Sequence, residues 1–300
     1  MLKRLIGAGL FALTLLVSNA GPIAAADAKD KIRVVIIDGQ NNHDWRTTTP
    51  ILKKALEDCG LFTVDVSSNL KPNDKPGNIE KTVPFPPDLG KYDVLLSNYN
   101  GASWPADFNT SLEAKLKEAK IALVIVHAAN NAFNNWTEYN LMIGMGWRGA
   151  NGGERLKLDD AGKEVRELKG EGLGSGHRTT GVWKVAIRDS EHPITKGMPS
   201  EWMHASDELY DNMRGPIQKV HLLATAYSKG TKAHEPMIWT VDYGEGRVFH
   251  TPMGHGADSM RCVGFTVTLQ RGTEWAATGN VTVKIPKEFP TEDKTSSLPK

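Results

Sequence analysis

Three largely apolar, strand-like runs along this chain end at or shortly before a histidine. Residues 121–126 (IALVIV) run directly into His127, residues 32–37 (IRVVII) lead through Asp38 and Gly39 to His43, and residues 247–249 (RVF) lead to His250, with His255 beyond. Runs that are apolar at every position, rather than at alternate ones, suit strands buried on both faces of a sheet. Further strands are expected at 62–66 and 92–98, with helical patterns at 48–59 and 109–119 between them. Strand and helix in alternation predict an α/β fold built on a doubly wound, mostly parallel sheet with helices on both faces. Ligands of such sheets bind beyond the carboxyl ends of the strands, which is where these histidines fall.

The second half is less regular. Strands are expected at 182–188, 220–226, 237–243 and 247–251, a hairpin turn at 243–247, and a terminal helix at 272–278. Residues 149–176 read as a glycine-rich excursion, with a hairpin turning at 160–162, and the proline-rich stretch 70–90 reads as a surface loop. The expected organisation is a signal peptide over 1–26, one α/β domain over 27–283 and a flexible tail over 284–300. The signal rests on Lys3 and Arg4, the apolar stretch 5–17, and Ala24 and Ala26 before Asp27. It implies a secreted or periplasmic protein with no membrane span once the signal is removed.

A formal charge of +1 gives no reason to expect nucleic acid as a partner. Two cysteines, Cys59 and Cys262, do not make a disulfide scaffold, and the sequence leaves open whether they pair. The chemistry therefore rests on histidines and carboxylates. His127, directly after a buried strand, is a site residue or a packed histidine capping the sheet. His43, in NNHDWRTT, is a site residue or a helix-start residue, and Trp45 beside it is a stacking surface or a packing anchor. His177 in GSGHRTT and His255 in PMGHG lie in glycine-flanked loops that suit a ligand-facing position. His192, before a proline, reads as a turn residue, and His250 ranks behind His255. His204, His221 and His234 read as surface histidines. Asp207 and Glu208 in SDELY orient histidines or bind hydroxyls, unless they simply open a helix.

The ordered set VVIIDGQNNHDW, VLLSNYNG, ALVIVHAANNAF, SGHRTT, DSEHPITKGMP, SDELY, GEGRVFHTPMGHG and RGTEWAATG resembles the trehalose-utilisation (ThuA-like) family over roughly residues 32–281. The resemblance implies a flavodoxin-like fold of the class I glutamine amidotransferase-like superfamily and a link to sugars, including disaccharides oxidised to 3-keto forms. Amidotransferases of that superfamily carry a nucleophilic cysteine after a central strand, a place that corresponds here to 127–129. No cysteine is there, so glutamine hydrolysis is not expected.

The reading is an enzyme acting on a small carbohydrate by histidine acid–base chemistry, with a divalent metal as a possible aid. His127 or His177 is the expected base, with Asp207 and Glu208 orienting. Trp45, Asn98, Asn100 and Trp147 are expected to contact substrate. His43, His127 and His255 are the expected metal ligands, with zinc first among the metals. No H-x-x-x-H or H-x-H spacing occurs, so any such centre is assembled from separate loops. The alternative is a non-catalytic sugar-binding domain using tryptophans 45, 104, 136, 147 and 183.

Overall fold

The apolar runs form the strands they suggest. β1 (Ile32–Asp38), β2 (Phe62–Ser68), β3 (Thr82–Val83), β4 (Val94–Ser97) and β5 (Ala122–Val126) are all parallel, in the order β3-β2-β1-β4-β5. Alternate residues of these strands enter two separate cores. Val34, Ile36, Val94, Leu96, Val124 and Val126 pack on one face, and Val35, Ile37, Leu95, Leu123 and Ile125 on the other. Helix α1 (Trp45–Asp58) covers the first face with Leu52 and Leu56, while α2 (Ala106–Lys117) and α3 (Thr137–Ile143) cover the second. Each of these fully buried aliphatic side chains contributes roughly 1.5–3 kcal/mol of transfer free energy.

This computed structural model describes residues 31–299 except 76, 78, 80, 81 and 160. The expected signal segment lies outside the described residues, as does Asp160 of the expected hairpin turn. The hairpin itself is present as β6 (Glu154–Leu158) against β7 (Glu164–Glu167), closed where Gly162 N–H donates to Asp159 O at 2.9 Å. The irregular half becomes an antiparallel extension of the parallel sheet. It contains β8 (Gly176–Ile187), β9 (Glu201–Asp211), β10 (Arg214–Gly215), β11 (Val220–Ser228), β12 (Ala233–Tyr243) and β13 (Gly246–Thr251). Strand β13 joins β5 in parallel, and the order then runs β12-β11-β8-β9. β9 is last in that order yet packs against α4 (Ala257–Met260) and α5 (Val263–Thr278).

Two expectations need correction. Helix α5 begins well before 272, and its residues from Val263 to Ala276 are all buried, so it has no polar stripe to mark it as a helix. Gly272 is inside it because a Cβ there would meet the Phe249 ring at 2.5 Å. Nor is the C-terminal stretch a loose tail. Arg271 holds the carbonyl of Val283, Phe289 is buried against Trp202, and backbone bonds of 2.8–2.9 Å join Met203 to Thr291, Val263 to Ser296 and Leu298 to Arg261. Lys284, Lys287, Lys294 and Ser297 are exposed while parts of its backbone are paired.

Asp38 closes β1 with its side chain buried. Burial raises its pKa from 3.8 to about 6, against the opposing effects of the Ser68 and Thr49 hydroxyls and Arg46. A raised carboxyl pKa contributes stability below its ordinary value and loses it as pH rises through about 6. Asp38→Asn should therefore raise stability at pH 8 by up to about 3 kcal/mol and give no gain at pH 4. Urea denaturation at both pH values checks this, and an equal effect at the two would contradict it.

Candidate metal centre

Strand β5 delivers its last residue, Val126, into a short 3-10 turn over His127–Asn131. His127 opens that turn with φ +46°, a left-handed conformation uncommon for a non-glycine residue. The turn throws the imidazole over the sheet edge, where it is 2 % exposed. His43 comes from the loop after β1, which α1 ends by taking Asp44 as its N-cap. His255 follows β13 in a loop bent by Gly254 at φ +103°. His177 lies at the start of β8 and Glu208 on β9. Four histidines from four separate elements thus surround one carboxylate.

Hydrogen bonds to the far sides of two rings assign their protons. His127 Nδ1 lies 2.7 Å from Pro252 O, which can only accept, so Nδ1 carries the proton and Nε2 presents a lone pair. Asn41 Oδ1 accepts from His43 N–H at 2.9 Å and lies 3.2 Å from His43 Nδ1, so that nitrogen also donates and its Nε2 is bare. Burial lowers the pKa of His43 to about 4 and that of His127 to about 3, and the neighbouring histidines push the same way. Both rings are therefore neutral at pH 7.

The two bare Nε2 atoms face each other at 3.3 Å. Glu208 Oε2 is 3.8 Å from His127 Nε2, and the three ligand atoms of His43, His127 and Glu208 lie within 4.8 Å of one another. Lone pairs and a carboxylate pointed at one space favour a cation among them. Two metal–nitrogen bonds of ~2.1 Å meeting near the tetrahedral angle span ~3.4 Å. The residues present fit a divalent metal held by two histidines and a glutamate. The second carboxylate oxygen, Oε1, faces outward, 3.6 Å from His177 Nδ1 and 3.5 Å from His255 Nε2. Those two imidazoles are about half exposed and line the mouth of the crevice.

The expected site residues are sorted by this geometry. His43, His127, His177, His255 and Glu208 come together. His255 faces Glu208, while the three-atom cluster takes Glu208 where the sequence suggested His255. Asp207 points the other way along β9 and is a positioning residue. Its Oδ1 accepts from the N–H groups of Glu208 and His255, and its Oδ2 from Gly254 N–H and His204 Nε2, at 2.8–2.9 Å. His204 is not on the surface but fully buried between Trp183 and Trp202. Burial alone would lower its pKa, but the Asp207 carboxylate and the Cys262 sulfur outweigh it and hold it near 9. His250 is buried and structural, bonded to Ile143 O and Asn130.

The expected substrate contacts divide likewise. Trp147 is half-buried, with its ring 5.7 Å from His177 and 4.6 Å from Tyr210, which makes it a wall of the crevice. Trp45 is 3 % exposed with Arg46 over its face, so it packs the core and offers no stacking surface. Asn98 is also buried, its amide spent on Thr48 and Thr49, and its oxygens take the amide of Asn41 that orients His43. Asn100 braces the same loop by accepting from Asn42 N–H. Tyr210 was not among the expected residues. Its hydroxyl lies 3.0 Å from His127 Nε2, and its place two residues after Glu208 puts both on one face of the strand.

The profile of the trehalose-utilisation family, ThuA, matches residues 33–276. A ThuA-like protein from Parabacteroides merdae is 39% identical in its crystal structure, with a TM-score of 0.81 over 90% of this chain and 98% of that one. A ThuA-like protein from Bacteroides uniformis, 17% identical with a TM-score of 0.55 over 87% of this chain and 97% of that one, shares the fold. No curated protein matches the chain. The flavodoxin-like α/β sheet, the ordered motifs and the profile agree, and the chain belongs to the ThuA family of the class I glutamine amidotransferase-like superfamily.

Proposed function

We propose that this protein is an exported, metal-dependent enzyme acting on a carbohydrate that carries a carbonyl group, a 3-keto glycoside being the substrate class that fits best. The observation that carries the reading is the pair of neutral imidazole nitrogens facing each other at 3.3 Å beside Glu208. His43, His127 and Glu208 would hold the metal, zinc by the softness of its nitrogen ligands. When bound, it supplies Lewis-acid stabilisation of charge on a substrate oxygen.

The protein's own groups suit the rest of such a reaction. A 3-keto group acidifies the neighbouring C2–H, and His177, half exposed and 3.6 Å from the Glu208 carboxylate, is placed to accept that proton. The electron pair moves onto the C3 oxygen as an enolate and then re-forms the carbonyl, making the C1–C2 double bond and breaking the bond from C1 to its alkoxy substituent. The leaving alcohol takes up a proton, for which His255, 3.5 Å from the same Glu208 oxygen, is available. Trp147 gives the sugar ring an apolar face to rest on. The carbohydrate class is supported by the family's association with trehalose utilisation. Export is supported by the signal-like N-terminal sequence, and an exported form still beginning at Met1 would contradict it.

The test is metal analysis of the purified protein followed by assays with a 3-keto disaccharide and its unoxidised parent. One zinc per chain and turnover of the keto form alone are expected, with turnover lost to a chelator and restored by zinc. Saturable sugar binding without turnover, unaffected by chelator, would favour a binding domain and sink the proposal.

A further inference from the structure

Tyr210 is 1 % exposed, its ring held 4.4 Å from the His127 ring and 4.6 Å from Trp147. The ring is fixed, so the hydroxyl oxygen keeps its place and only the O–H bond can turn. His127 Nδ1 is already committed to Pro252 O, so the ring has a single lone pair, at Nε2. The Tyr210 hydroxyl, 3.0 Å away, donates to that lone pair. His43 Nε2, 3.3 Å from the same atom, is bare and cannot donate to it. A metal on His127 needs the electrons that Tyr210 now uses. The hydroxyl and the cation compete for one lone pair, and only one of them can have it.

We infer that Tyr210 is a catalytic residue whose O–H is released from His127 when the metal binds and then donates to the substrate oxygen that gains charge. The inference rests on the metal-centre reading of the preceding section. No bond of the phenol breaks; only its acceptor changes, from imidazole nitrogen to the developing enolate oxygen. The hydroxyl lies 3.0 Å from a nitrogen that would hold the metal, so it stands beside the place where a substrate oxygen would gain charge. The arrangement makes the donor available only in the loaded site.

Competition has an unusual consequence: removing the hydroxyl should help metal binding while harming turnover. Zinc titrations of wild type and Tyr210→Phe against a chromophoric chelator at neutral pH should show affinity higher in the variant, on the order of fivefold, the worth of one hydrogen bond. With a 3-keto disaccharide as probe, kcat should fall on the order of 100-fold with KM changed little, as for loss of an oxyanion donor. The melting temperature should stay close to that of wild type, since phenylalanine keeps the ring packing. Zinc affinity reduced tenfold or more would make Tyr210 a metal ligand and overturn the inference. Unchanged turnover in a zinc-loaded Tyr210→Phe protein would overturn it as well. A wild-type protein that binds no zinc would bring down the metal-centre reading itself, which the first titration separates from the other outcomes.

Discussion

His127→Asn should abolish zinc binding and turnover together while leaving the protein folded. Asparagine tolerates the left-handed backbone that His127 adopts at φ +46°, so the turn after β5 can persist. What is lost is one of the three atoms that would hold the metal and the bonds to Pro252 O and Tyr210. Second-sphere changes at metal sites already weaken binding by about 10–100-fold, so removal of a ligand should exceed the upper end of that range. The stability cost should be about 1–3 kcal/mol, because a buried imidazole with hydrogen bonds at both nitrogens is replaced. His43→Ala should behave in the same way, and the double variant should be hardly worse than either single one, since residues acting as a unit are not additive. Zinc titration and calorimetric melting check this. Full zinc affinity in His127→Asn, or activity lost only in proportion to the folded fraction, would make His127 a structural residue.

The second large effect belongs to Asp207→Asn. All four groups that meet this carboxylate are donors, and asparagine offers one oxygen and an NH2 that would oppose two of them. His204 also loses the anion that keeps it protonated in a fully buried place. Breaking a buried pair on one side costs about 3–5 kcal/mol, on the order of 10 °C in Tm for a chain of this size. Metal affinity should fall too, because the segment fixed by Asp207 carries His255 and the Pro252 carbonyl that orients His127. The pH dependence has a definite sign. His204 is held near 9 against an ordinary 6.5, so its contribution is complete below 6.5 and lost as pH rises through about 9. Asp207 is held below its ordinary value, so its own contribution is lost only on strong acidification. The gap in Tm between wild type and Asp207→Asn should therefore be widest below about pH 6.5, narrow between about pH 6.5 and 9, and level off above that. A variant that melts with wild type at pH 7 would refute this account.

Three histidines of the crevice, His43, His127 and His255, were legible because each follows a largely apolar run, whereas His177 stood out only by its glycine-flanked loop. His43 and His127 leave β1 and β5, parallel strands with carboxyl ends at one edge, and His255 leaves β13, which lies beside β5 in parallel. Strand β9 was not legible in the same way. Its burial alternates irregularly, and SDELY reads equally well as the start of a helix. Once it is a strand, the pleat sends Glu208 and Tyr210 to one side and Asp207 to the other, dividing residues that the sequence had paired. Trp45 and Asn98 were also misread. Trp45 is the first residue of α1 and is buried with that helix, and Asn98, directly after β4, is covered by Thr48 and Thr49 of the same helix.

From its sequence alone this chain determined its parallel sheet, its two-faced core, its family and the edge at which histidines gather. Those follow from local pattern, because a strand buried on both faces must be apolar at every position and its end must carry the first polar group. The tertiary structure alone decided which histidines are neutral, which carboxylate faces them and which supports them from behind. These depend on contacts across the chain: His127 with Pro252, His43 with Asn41 and His127, Asp207 with Gly254. A proton's place on an imidazole is set by what its other nitrogen touches, and apart from neighbours in one loop, such as Asn41 and His43, no spacing in the sequence records that contact.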